Sequence, residues 1–135
     1  MLRRLFTTVV LLSSVAVVLP AAADIAVIVN PANTSTLTTD ELTRLYTGRS
    51  SVLTAVNLTE SSPLRGQFDE KGVGRSSAQL KAHWSKLVFT GKGTPPLELA
   101  SEAAVIEHVT QNPNAIGYID SASVTGAVKV VLTLN

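Results

Sequence analysis

Thr54-Ala55-Val56-Asn57-Leu58, followed by Ser61-Ser62-Pro63-Leu64-Arg65-Gly66-Gln67-Phe68, is the stretch on which the fold turns. The first run has the short, apolar, β-branched character of a strand. The second opens a helix: Ser62 is a good N-cap and Pro63 suits the first helical position. Leu64 and Phe68 then fall on one face, turned inward. A strand running into a helix is the unit of an α/β fold. The first turn of a helix also presents unpaired N–H groups and the positive end of its dipole, which suit an anion. Arg65 adds a fixed charge one turn in. Ser61, Ser62 and Arg65 are therefore the candidate anion-binding residues.

The same alternation extends in both directions. Ile25-Ala26-Val27-Ile28-Val29 is a continuous apolar run, expected as a buried strand. Thr38-Thr39-Asp40-Glu41 is a capping box, with Leu37 and Leu42 at staple positions. Its helix is expected to reach about Tyr46, with Leu42, Leu45 and Tyr46 on one face, and Gly48 stops it. Val52 to Leu58 is the next strand, and the Ser62 helix breaks near Gly72-Val73-Gly74. Ser76-Ser77-Ala78-Gln79 is a second capping box, opening a helix expected to bury Leu80, Trp84, Leu87 and Val88. Thr90 to Pro96 reads as loop. Ser101 caps a helix with Val105, Ile106 and Val109 inward, stopped by Asn112-Pro113. Ala115 to Ile119 and Val128 to Leu134 are strands, the last at an edge. The expectation is one α/β domain, a mixed, mostly parallel sheet flanked by helices.

The first residues read as an address. Arg3 and Arg4 form a positive n-region, Leu5 to Leu19 an apolar h-region, and Ala21-Ala22-Ala23 a cleavage site. A cut before Asp24 gives a signal peptide over 1–23 and a mature domain over 24–135. General secretion is favoured over the twin-arginine route because the n-region is very short. No second apolar stretch is long enough to span a membrane. With Arg3 and Arg4 gone, nine basic side chains face ten acidic ones. That balance, without a basic run, excludes nucleic acid as a partner. There is no cysteine, hence no disulfide and no lipid-modified cysteine at the cut. The expected location is the periplasm.

These segments, in order, resemble the phosphate-binding components of bacterial ABC transporters, a type 2 periplasmic binding protein family. Ile25 to Pro31 with Asn33 looks like the strand that crosses between that family's lobes. Leu37-Thr38 through Leu42, Leu45-Tyr46 and Gly48 is similar to its Leu-Thr-x-x-x-Leu-x-x-Ile-Phe-x-Gly helix. Ser61 to Phe68 resembles its Gly-Ser-Gly-Thr-Arg-x-x-Phe anion turn, and Ala115-Ile116-Gly117-Tyr118 its Gly-Ala-Ile-Gly-Tyr segment. The resemblance covers nearly all of 24–135 and implies a single lobe of a two-lobed clamp. It also implies phosphate or another small oxyanion as ligand. Two features set this chain apart. The family's N-terminal part, with its first phosphate loop, has no room here. At the turn, Pro63 and Leu64 replace glycine and threonine, removing an N–H and a hydroxyl, and Leu58 stands where the family often has arginine. Weak rather than tight anion binding is the expectation.

Each candidate has a plainer reading. Ser62 can serve as a cap alone, with Arg65 in solvent. His83 and His108, both on helices, read as surface or boundary residues rather than metal ligands. Gly-x-Ser-x-Gly is absent, and Gly91-Lys92-Gly93-Thr94 lacks the spacing of a phosphate loop. No catalytic residue, metal or cofactor is expected, so the protein is read as a non-enzyme. The alternative function is a protein-interaction module of the cell envelope, acting as a homodimer or on another envelope protein. A lobe without its partner leaves apolar surface bare.

Overall fold

The computed structural model describes residues 24–135, and the expected leader over 1–23 lies outside the described residues. Ile25–Val29 forms β1, and every one of its side chains is buried. The capping box forms as read. Thr38 Oγ1 accepts from the Glu41 N–H and the Glu41 carboxylate accepts from the Thr38 N–H. It starts α1 (Thr39–Tyr46), whose Leu42, Leu45 and Tyr46 are buried. Next come β2 (Thr54–Leu58), α2 (Pro63–Phe68) and a π-helical turn over Asp69–Val73 that ends at Gly74. The second capping box starts α3 (Ser77–Phe89), and β3 (Leu97–Leu99) follows. Then α4 (Glu102–Gln111), β4 (Ala115–Asp120), a 3-10 turn and β5 (Lys129–Leu134) complete the order.

One mixed sheet results, in the order β3-β2-β4-β1-β5. Its β3-β2-β4 half is parallel and its β4-β1-β5 half antiparallel, so β5 is an edge strand as expected. Alternation along β4 assigns the two faces. Gly117 faces α4: a Cβ there would lie 2.6 Å from Val105 Cγ1 and 3.0 Å from Val56 Cγ2. Only glycine lets that helix lie so close to the strand. Tyr118 points to the other face, where it stacks on Phe68 of α2 with ring centroids 3.7 Å apart. Tyr46 of α1 meets Phe68 edge-on at 4.7 Å. Three aromatic rings from three elements thus fix α1 and α2 on this face.

The structure corrects three local expectations. β2 begins at Thr54 rather than Val52, whose side chain is exposed. Leu97–Leu99 is a strand, although it follows Pro95-Pro96 in what reads as loop. On α3 only Leu80 is buried. Trp84 and Leu87 are half-buried, Val88 is exposed, and Phe89 is 91% exposed. The helix runs out past the core, so its last turn has nothing to bury against.

Candidate functional site

The strand-to-helix turn after β2 forms where the sequence places it, but several of its polar groups are used within the chain. Ser61 Oγ lies 3.0 Å from Thr59 Oγ1. The Ser62 N–H donates to the Thr59 carbonyl, and the Arg65 N–H to the Ser62 carbonyl. Ser62 holds the N-cap position with extended backbone, yet its hydroxyl makes no capping bond. Pro63 contributes no N–H. Leu64 is buried in the core, so it offers no surface at the turn.

Arg65 is not in solvent: only 7% of it is exposed. Its Nη1 donates to the Leu58 carbonyl at 3.0 Å and to Glu98 Oε1 at 2.7 Å. Its Nε lies 3.6 Å from Asp69 Oδ2, one helical turn on. Asp69 is fully buried and accepts from Ser77 Oγ at 2.6 Å. The guanidinium is therefore held between two carboxylates. Burial alone would pull the Arg65 pKa down. The Glu98 hydrogen bond and the Asp69 charge outweigh it, and the pKa lies above its ordinary value. For Asp69 the balance goes the other way. Burial pushes its pKa above the usual carboxylate range, against the Ser77 hydrogen bond and the Arg65 charge. Two polar atoms of the cluster, Arg65 Nε and Asp69 Oδ1, are buried without a hydrogen-bond partner.

Arg65, Asp69 and Glu98 also line a cavity of about 480 Å³. Leu80, Trp84, Val88 and Phe89 of α3 and Pro95-Pro96 before β3 form most of its walls. Asn57, buried on β2, accepts from the Tyr118 hydroxyl. On the rim, Lys81 Nζ lies 3.8 Å from Glu60 Oε2, both side chains well exposed. A second cavity, of about 490 Å³, lies beside Leu53 and Leu97 and shares Trp84 and the two prolines with the first.

Both histidines behave as helix-boundary residues. His83 Nε2 lies 2.8 Å from the Thr47 carbonyl, while the Trp84 N–H donates to the Tyr46 carbonyl at 3.1 Å. Together they tie α3 to the end of α1. Gly48 makes this possible, with φ +79° and the Trp84 ring 2.8 Å from where its Cβ would stand. His108 is half-buried on α4. Among the described residues no group of three or more His, Cys, Asp and Glu side chains is placed to hold a metal ion. None of the described helices is long and apolar enough to cross a membrane.

The sequence pointed to Ser61, Ser62 and Arg65, and missed Asp69 and Glu98. Asp69 was legible as the residue four after Arg65, a helical ion-pair spacing. Glu98 lies 33 residues away and carried no local signal.

The sequence matches no protein-family model and no curated protein. Solved structures do match. An ABC-type phosphate transport receptor from Vibrio cholerae aligns over 81% of this chain at 25% identity, with a TM-score of 0.62. A putative phosphate ABC transporter substrate-binding protein from Clostridium perfringens, solved with bound phosphate, aligns over 81% at 24% identity, with a TM-score of 0.65. PstS from Borrelia burgdorferi aligns over 73% at 18% identity, with a TM-score of 0.53. The chain spans 46%, 45% and 42% of these proteins, less than half of each. The described residues thus have the α/β fold of part of a phosphate ABC transporter substrate-binding protein. This is the resemblance carried by the ordered sequence segments.

Proposed function

We propose that this chain is a periplasmic solute-binding-like protein, not an enzyme, that holds phosphate or a similar oxyanion only weakly. The leader is removed before Asp24. The anion sits at the start of α2, against Ser61 and Ser62, and Arg65, its charge offset by Glu98 and Asp69, makes no direct bond to it. The observation that carries this reading is the state of Arg65. Its guanidinium is already shared by Glu98 and Asp69. A tight oxyanion trap needs charge-assisted donors free to converge on the ligand. A few hydroxyl and backbone groups at an open helix start support a Kd on the order of 1 mM or weaker.

The test is calorimetric titration with phosphate and sulfate of the protein purified after export. Arg65→Ala is a poor control, because it strips a buried carboxylate of its partner. Ser61→Asp is the better one: Ser61 is exposed, and a negative charge there repels the anion without disturbing the core. Weak binding lost in Ser61→Asp is expected. Submicromolar phosphate binding, or binding that ignores Ser61→Asp, would refute the site.

One observation favours a second reading, as an envelope interaction module. Phe89 and Val88 at the end of α3 and Leu97 on edge strand β3 are large apolar side chains in the open. They border the two adjoining cavities. Light scattering over a range of concentrations tests it, with Phe89→Ser as control. A dimer weakened by Phe89→Ser, or an envelope partner whose capture Phe89→Ser abolishes, is the result this reading expects. A strict monomer that captures nothing rules it out.

A further inference from the structure

We propose that the cavity between α3 and β3 binds a small organic monocation: a primary ammonium on an apolar or aromatic body. The inference is independent of the oxyanion reading, which concerns the open start of α2. The paired charges lining the cavity are one positive group, Arg65, and two negative ones, Asp69 and Glu98. The rim pair of Lys81 and Glu60 leaves that balance unchanged. An oxyanion entering here meets two carboxylates and a guanidinium already bonded to one of them. An ammonium meets the opposite field.

The acceptors for it are in place. Glu98 gives one carboxylate oxygen to Arg65, and its side chain is 48% exposed. Asp69, which also lines the cavity, has a buried Oδ1 with no hydrogen-bond partner. A buried unpaired acceptor is costly, and a donor brought by a ligand relieves that cost. The walls suit the rest of the molecule. Trp84 offers a half-buried aromatic ring and Val88 an aliphatic surface, in a space of about 480 Å³. Apolar walls with a few convergent polar groups are the common form of a small-molecule site. A cation near the Trp84 ring gains a further cation–π attraction.

Trp84 is the only tryptophan in the chain, so its emission reports directly on the cavity. The protein purified after export of the full chain is titrated with 2-phenylethylamine, 2-phenylethanol and 3-phenylpropionate. These probes share a phenyl group and differ in charge. A saturable change with the amine is expected, up to about fivefold tighter than with the alcohol, as a partly exposed charge pair allows. The carboxylate is expected to bind least. Glu98→Gln should invert the order, weakening the amine and strengthening the carboxylate as Arg65 loses a partner. Val88→Lys changes an exposed wall position that the fold does not need, and should abolish amine binding at unchanged thermal stability. No saturable change with the amine overturns the proposal. So does equal or tighter binding of the alcohol or carboxylate to the wild type, or amine binding that survives Val88→Lys.

Discussion

Arg65→Ala is expected to cost about 3–5 kcal/mol of folding stability, read from urea unfolding at neutral pH. The arginine sits where the resemblance puts a ligand contact, yet in this chain it neutralises a fully buried carboxylate. Asp69 is fully buried, and Ser77 alone cannot hold its charge. The loss depends on pH in a defined direction. The native pKa of Asp69 is raised above its ordinary value of 3.8. Folded protein therefore binds this proton more tightly than unfolded chain. The Asp69 contribution to stability falls as pH rises through the interval between 3.8 and the raised value. Without Arg65 the native pKa climbs further, so the penalty of Arg65→Ala grows on going from acid to neutral pH. Removing the charge on both sides, in Arg65→Met with Asp69→Asn, should recover most of the loss. A loss below about 1 kcal/mol for Arg65→Ala, the range of exposed ion pairs, would show that the cluster is solvated.

Phe68→Ala is expected to destabilise by a similar amount, about 3–5 kcal/mol, through lost burial and the cavity it leaves. Phe68 is fully buried, stacked on Tyr118 and edge-on to Tyr46. It thus links α2 to β4 and α1. Its ring also lies 3.3 Å from where a Cβ on Gly72 would stand, in the π-helical turn that carries Asp69. Phe68→Leu keeps most of the volume and should cost less than half as much. Thermal unfolding of the two variants side by side checks the order. Equal losses would contradict this, because they would mean that apolar volume without the ring recovers nothing.

What the sequence disclosed and what it hid follow from range. Thr38 with Glu41 and Ser76 with Gln79 are signals only three residues long, and both capping boxes form as read. Ile25–Val29 announced a strand because every residue in it is apolar, and it pairs on both sides. Gly48 stops α1, as its position after the last apolar turn implied. The failures concern what elements meet in space. Val88 and Phe89 continue an apolar pattern, but the core has ended before them. Leu97–Leu99 is too short to show alternation after two prolines, and only pairing with β2 makes it a strand. At the candidate site the sequence found Arg65 but not its occupation. Glu98 reaches it from β3, an element that was not foreseen. Whether an arginine is free for a ligand depends on such distant neighbours.

The fold shared with phosphate transport proteins does not by itself decide what is bound. In this chain the charge that would hold an anion is spent internally, and the exposed apolar surface lies elsewhere. The central claim is that oxyanions meet only the open start of α2. It is tested most directly by following the backbone amides and the Arg65 Nε–H by NMR while phosphate is added. Shifts confined to residues 59–64, with a midpoint on the order of 1 mM or above and an unmoved Arg65 Nε–H, are the predicted result. Saturation at submicromolar phosphate, or a shift of the Arg65 Nε–H tracking the titration, would contradict the account.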